Sequence, residues 1–235
     1  MIVAAAALYS SVGHGGASGY LAAMAIFGLA PSVMKPTALI LNILVSAIAT
    51  IRFYRAQCFS WRVLLIFAVT SIPLAFLGGM IALPGDYYRK IVGSVLIYAA
   101  VQLFRTTQQK ALAEVLPLPV TTALIFGAAI GLLSGLTGVG GGIFLSPLLL
   151  LMRWADPRQT AGVSAAFILV NSIAGLTGHV SIVRAVPPSI SFFALSAVIG
   201  GLFGSWIGSR YLSTMTLRRL LATVLVVAGI KFIFT

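Results

Sequence analysis

The sequence predicts an all-α, polytopic membrane protein. It is expected to consist of two homologous four-segment halves arranged as inverted repeats, each opening with a glycine-broken or re-entrant helix. Three observations predict this. Of 235 residues, 60% are hydrophobic and 8% charged, against about 25% charged in an ordinary soluble domain. The apolar runs continue for about twenty residues, the length of a bilayer-crossing helix, and do not alternate as membrane barrel strands do. Two glycine clusters, Gly13-His14-Gly15-Gly16 and Gly138-Val139-Gly140-Gly141-Gly142, stand at matching places in the two halves. Glycine loses the most backbone freedom on ordering, so each cluster marks a helix break. Broken backbone at membrane depth is tolerated only where protein or water satisfies its polar groups. Paired breaks of this kind point to the binding site of a transporter.

The first segment covers residues 1–29 and is interrupted at 13–16. A loop holding Pro31, Lys35 and Pro36 is expected next, because proline removes a backbone donor. The second segment, 37–51, is short and closes on Arg52, Arg55 and Arg62. The third, 63–83, contains Pro73 and Gly78-Gly79 and ends at the turn Pro84-Gly85-Asp86. The fourth is 90–104. Residues 105–114 form the one polar stretch of any length, so the halves are expected at 1–104 and 119–235, with a linker at 105–118. The second half repeats the plan. Its segments are 119–152 (interrupted at 138–142), 159–178, 189–207 and 217–234, with loops at Arg153–Arg158 and around Arg184, Pro187 and Pro188.

Laid on one another, Gly13, Gly15 and Gly16 fall on Gly138, Gly140 and Gly141, and Asn42 falls on Asn171. The pattern reads as duplication of a four-segment unit. Twelve residues precede Gly13, and at about 1.5 Å per residue they cover roughly 18 Å, less than a full crossing. The first segment is therefore either re-entrant or clipped at its start. Charge bears on the same question. If each broken segment doubles back, one side holds Arg52, Arg55, Arg62, Arg105, Lys110, Arg153, Arg158, Arg210, Arg218 and Arg219. The other side then holds Lys35, Arg89, Lys90, Arg184 and Lys231. A single crossing leaves no such bias, so the positive-inside rule favours hairpins, with both termini outside and the linker in the cytoplasm.

The net charge of +12 is read as topological. The basic residues are spread over short loops without an aromatic-interleaved patch, which argues against nucleic acid as a partner. All three acids, Asp86, Glu114 and Asp156, fall in expected loops. No paired carboxylates or nucleophile–base arrangement is visible, so an enzyme is not expected. The lone Cys58 makes no internal disulfide and has no metal-ligand cluster around it. The N-terminus lacks a charged region ahead of its apolar run and reads as a membrane segment.

The lack of acids at membrane depth bears on substrate. Carriers of cations place Asp or Glu inside the bilayer. This chain offers glycine backbone, amides, hydroxyls and a histidine, which are hydrogen-bond donors suited to an anion. Helices restarting near Tyr20 and Ile143 would point free N–H groups and the positive end of their dipoles at the breaks. The candidate substrate-binding residues are Gly13, His14, Gly15, Gly16, Thr37, Asn42, Gly138, Gly140, Gly141, Gly142, Ser164 and Asn171, with Ser11, Ser134 and Thr137 as weaker candidates. Each has a bland alternative. His14 could be a neutral histidine bonded to a carbonyl, the asparagines could bond between helices, and hydroxyls often bond back to their own helix. Gly78-Gly79 and Gly200-Gly201-Gly204 read as close-packing faces, and His179 as a loop residue.

The run Gly138-Val139-Gly140-Gly141-Gly142-Ile143-Phe144-Leu145-Ser146-Pro147-Leu148-Leu149 resembles the signature of the TauE/SafE sulfite exporter (TSUP) family, in which a glycine run followed by proline and apolar residues occurs once per half. The resemblance covers the whole chain. The first copy departs from it: His14 stands at the hydrophobic position, Ala17 replaces a glycine, and no proline matches Pro147. The resemblance implies a multi-pass carrier of the bacterial or archaeal inner membrane for sulfite, sulfonates or related organosulfur or carboxylate anions. The expected function is secondary transport by alternating access, and the competing reading is a channel-like or structural membrane protein. No cofactor is expected, a proton or sodium gradient is the candidate driving force, and the partners are a small anion and the lipid bilayer.

Overall fold

The computed structural model describes residues 1–81, 84–105, 115–179 and 190–210, together with 226, 230 and 233. Among the described residues the chain forms nine helices and no strand: α1 (Ile2–Ser10), α2 (Ala17–Ile26), α3 (Pro31–Arg55), α4 (Trp61–Met80), α5 (Gly85–Arg105), α6 (Val120–Thr137), α7 (Gly142–Leu151), α8 (Pro157–Gly178) and α9 (Ile190–Arg210). Among the described residues five stretches, within α3, α4, α6, α8 and α9, are long and apolar enough to cross a membrane. The expected eighth segment, the linker residues 106–114 and the loop at Arg184 lie outside the described residues, apart from positions 226, 230 and 233.

Two differences bear on the site; elsewhere α5 begins at Gly85 and not at 90, which puts Asp86 in its first helical turn and not in a loop. The expected loop at Pro31–Pro36 is the start of α3. Pro31 takes the first helical position, where its missing N–H costs nothing. Pro36 sits one turn further in and removes a single bond, while the Thr37 hydroxyl covers the Val33 carbonyl at 2.7 Å. Lys35 is therefore inside a helix and not in a loop. The second difference is α2, which restarts at Ala17, three residues before the expected Tyr20, because Gly16 takes the left-handed conformation (φ +98°) and serves as its N-cap. By contrast α8 begins as its sequence suggests, with Pro157 behind Asp156, whose carboxylate accepts from the Arg158 and Gln159 amides at 2.8 and 2.9 Å.

Both broken segments double back. The Leu116 amide, just before α6, donates to the Arg153 carbonyl, just after α7, at 2.7 Å, so α7 returns to the end where α6 began. In the first half, Gly19 of α2 packs against Ala5 and Tyr9 of α1. The hairpins share backbone detail. Gly13 and Gly138 both have φ +77°, and α7 is capped by left-handed Gly141 as α2 is by Gly16. The exits match as well: Gly28 and Arg153 have φ +71° and +56°, and Leu29 and Trp154 each donate back to the carbonyl five residues earlier.

Small residues set the packing. Gly127, Gly131 and Gly135 of α6 face Phe67, Ser71 and Ala75 of α4 backbone to backbone, so these helices run parallel. Gly200, Gly204 and Gly208 of α9 face Val3, Ala7 and Ser11 in the same parallel sense. At the centre α3 and α8 run antiparallel, with Leu39 by Gly175, Asn42 by Ser172, and Phe53 by Gly162. With lipid outside, such contacts hold helices together by close packing and not by a hydrophobic gradient. The pattern is reciprocal: α1 lies on α9 as α6 lies on α4, α3 on α9 as α8 on α4, and α2 on α3 as α7 on α8.

Candidate functional site

The two glycine loops converge on one side chain. Asn42 is fully buried at the middle of α3. Its Nδ2 donates to the Val139 carbonyl at 3.1 Å and lies 3.5 Å from the Ser172 hydroxyl. Its Oδ1 faces Gly15 and has no partner among the described residues. A β-carbon on Gly15 would stand 2.5 Å from Oδ1, and one on Gly140 would stand 2.7 Å from Nδ2. Ile168 of α8 touches the same two glycines from the other side. The counterpart of Asn42 across the two halves is thus Ile168, not the expected Asn171.

The tips reach further, each onto the first turns of the other half's central helix. Gly13 lies on the Ala161 backbone of α8, and Gly138 lies on Lys35 of α3. Because α3 and α8 both open with proline, Lys35 and Ala161 occupy the same position in their helices. One end of the molecule therefore carries a buried lysine where the other carries an alanine.

Lys35 is 5% exposed. Its amine is 3.5 and 3.4 Å from the carbonyl oxygens of Gly78 and Gly79, in the last turn of α4. These oxygens have no intrahelical partner, but contacts of this length are beyond the usual N–H···O range of about 2.7–3.2 Å. His179 immediately follows α8 and is also 5% exposed. It is buried and not the loop residue expected. Its Nδ1 lies 3.0 Å from the Gly79 carbonyl, which fixes the proton on Nδ1 in the neutral ring. Nε2 is buried without a partner among the described residues. Burial lowers the pKa of His179, the Gly79 bond opposes that shift, and the nearby Lys35 charge lowers it further. His179 is accordingly neutral at pH 7 and gains its proton only as pH falls. Nearby, the Tyr88 hydroxyl of α5 donates to the Thr137 carbonyl at 3.1 Å, tying α5 to the end of α6.

The other expected site residues divide clearly. Gly13, Gly15, Gly16, Gly138, Gly140, Gly141 and Gly142 are all buried in or beside the converging loops. His14 is half-buried at the first tip, with Nδ1 at 3.2 Å from the Val12 carbonyl and its ring edge-on to Tyr9. Thr37 bonds its own helix. Asn171 also bonds back, to Phe167 at 2.8 Å, and makes no hydrogen bond to the loops among the described residues. Ser164 pairs with Ser146 of α7 at 2.7 Å and so ties α7 to α8. Replacing Ser164 by alanine strands the Ser146 hydroxyl and should lower stability by about 1 kcal/mol, readable as a small drop in thermal midpoint.

Among the described residues no group of three or more His, Cys, Asp or Glu could hold a metal. A groove of about 640 Å³ between α4 and α8 is lined by apolar side chains, including Ile72, Phe76 and Ile173. Its chemistry suits acyl chains and not anions.

Sequence reasoning missed Lys35 and His179. The available signal was Pro31 as a first helical residue, which places Lys35 one turn inside α3. No local signal marks His179, whose burial depends on α4 lying alongside α8.

Residues 1–232 match the family described as sulfite exporter TauE/SafE. The chain is 42% identical to the "Probable membrane transporter protein y4hK" of Sinorhizobium fredii, over 96% of this chain and 93% of that one. It is 28% identical to the "Probable membrane transporter protein YunE" of Bacillus subtilis, over 45% of this chain and 38% of that one. Another Bacillus subtilis protein, "Probable membrane transporter protein YjnA", is 25% identical over 97% and 95% of the two chains. No solved structure matches the chain.

Proposed function

We propose that this chain, which belongs to the sulfite exporter TauE/SafE family and is a multi-pass membrane transporter, is a secondary carrier of small anions, sulfite or sulfonates first among them, working by alternating access between two inverted repeats. The observation that carries the reading is the meeting of two glycine hairpins on the Asn42 amide. Gly16 and Gly141 cap α2 and α7 with no side-chain cap hydrogen bond among the described residues, which leaves the first N–H groups of two buried helices for a ligand. Helix directions support the inverted arrangement. The counterparts α3 and α8 run antiparallel, as an axis in the membrane plane requires; an axis along the normal would make them parallel. In the packed arrangement described above, Asn42 and Ile168 fill the space between the loops. The carrier therefore binds its anion when one hairpin draws back from that pair.

Sidedness follows from charge. The end where α3 stops and α4 and α8 begin carries Arg52, Arg55, Arg62, Arg153 and Arg158, which the positive-inside rule assigns to the cytoplasm. In a Cys58→Ser background, Arg158→Cys should react with an impermeant maleimide only in inside-out vesicles, and Asp86→Cys only in right-side-out vesicles. Labelling of both from one side would sink the hairpin topology.

The functional test is uptake of radiolabelled sulfite and methanesulfonate into proteoliposomes, with pH and sodium gradients imposed separately. Transport above protein-free vesicles supports the carrier. A β-carbon on Gly140 or Gly141 would stand 2.7 or 2.9 Å from a neighbouring side chain, and both residues have positive φ. Gly140→Leu and Gly141→Leu should therefore abolish binding as well as flux. Unchanged affinity in folded variants would remove the loops from the site.

A further inference from the structure

We propose that Lys35 and His179 together form the charge-neutralising subsite of the carrier, taking a small oxyanion and one proton at the end of the second glycine hairpin. The proposal rests on the anion-carrier reading above and names the side chains that would meet the charge. Four observations converge on it. Lys35 is a cation buried inside a predicted membrane span. Of the three acids in the chain, Asp156 caps α8 at its opposite end, Asp86 is exposed in the first turn of α5, and Glu114 lies outside the described residues. Among the described residues the amine has only the two long approaches to the Gly78 and Gly79 carbonyls. An ammonium carries three donors, and leaving such a group in a low-dielectric interior without a counter-charge is costly.

The second observation is asymmetry. Gly138 rests on Lys35 while its counterpart Gly13 rests on Ala161, so the duplicated scaffold does not need a lysine there. Third, His179 and Lys35 converge on one carbonyl, that of Gly79. With Nδ1–H committed to Gly79, the buried Nε2 is an acceptor with no donor among the described residues. An oxyanion between the two groups would take the Lys35 ammonium on one oxygen. Its second contact needs a proton on Nε2, or on the anion itself, so anion and proton bind as a unit and binding tightens as pH falls. Fourth, among the described residues the surroundings supply no competing charge. Against this pair α4 presents backbone carbonyls, Tyr88 of α5 is already bonded to Thr137, and Lys35 of α3 is the charged group that faces His179.

The bland alternative is that Lys35 merely caps the C-terminus of α4, where a cation is favoured by the helix dipole. The two readings separate in calorimetric titration of the detergent-solubilised protein with methanesulfonate and with sulfite. Titrations run in buffers of different ionisation enthalpy count the protons taken up, and a sulfonate is not protonated at neutral pH. The wild type should take up about one proton per anion. Lys35→Met should fold with little change in thermal midpoint and lose affinity about a hundredfold or more. Lys35→Arg should bind within about tenfold of the wild type, since the charge is kept. His179→Gln, whose amide can still donate to Gly79, should bind more weakly with no proton uptake. A folded Lys35→Met that binds as the wild type does overturns the subsite, and so does a folded Lys35→Arg that binds nothing, or proton uptake that persists in His179→Gln. These results would leave the carrier standing. If the wild type neither binds nor transports either anion, the anion-carrier reading fails and the subsite falls with it.

Discussion

Valine in place of Gly135 is expected to force α4 and α6 apart. Even a single methyl group at this position overlaps the Ala75 carbonyl, and its β-carbon would come within 2.8 Å of both the Ala75 carbonyl carbon and the Gly79 amide nitrogen. Neither obstacle is a flexible side chain that can swing away. Both belong to the backbone of α4, whose last turn also supplies the carbonyls facing Lys35 and His179. Overpacking at a backbone contact should cost about 3 kcal/mol, a fall of roughly 6–12 °C in thermal midpoint for a chain of this size. Gly135→Ala should show a smaller fall in the same direction. Gly28 supplies the control. It has a left-handed φ of +71° but, among the described residues, nothing within 4 Å of an added β-carbon, so Gly28→Ala should cost only about 1 kcal/mol of backbone strain. Equal midpoints for Gly135→Val and Gly28→Ala would show that the α4–α6 contact is not close-packed.

Asn42→Leu should be the most damaging substitution at the centre, and Asn171→Leu close to neutral. The two asparagines look equivalent in the sequence, as polar residues in the middle of apolar helices. Asn42, however, holds the Val139 carbonyl across the interface between halves, whereas Asn171 bonds within its own turn. Leucine at position 42 leaves that carbonyl buried without a donor, at a cost of about 1–3 kcal/mol, and presses a branched side chain against Gly15 and Gly140. Uptake into proteoliposomes should fall at least about tenfold, the equivalent of ~1.4 kcal/mol. Leucine at position 171 removes only a local bond, together with an Oδ1 that lacks a partner among the described residues. Comparable loss of uptake in both variants, at matched folded yield, would contradict a centre built on Asn42.

Much of the architecture was legible because it is written in composition and in glycine. Low charge and long apolar runs identify membrane helices regardless of how they pack. The matched clusters mark paired breaks because glycine tolerates the positive φ found at Gly13, Gly16, Gly138, Gly140 and Gly141. Hairpins could also be inferred from arginine placement, and the Leu116–Arg153 bond shows that the second segment turns back. The errors share a cause. Pro31, Lys35 and Pro36 together look like a loop, since two prolines and a charge rarely begin a buried helix. Asn171 looked like the partner of Asn42 because residue type was matched in place of position along the helix. His179 looked peripheral because it follows the last apolar residue of its segment.

The sequence by itself determined the solvent this chain occupies and the places of its two glycine helix breaks. Those properties depend on local preference and on hydropathy summed over a turn or more, and neighbours do not alter them. Only the tertiary structure decided which polar groups share a buried space. Lys35, Gly79 and His179 lie far apart along the chain and come together because the glycine faces let α4 approach α6 and α8 backbone to backbone. A charge that reads as a loop residue in isolation becomes buried, with no counter-charge among the described residues, only once those helices close around it.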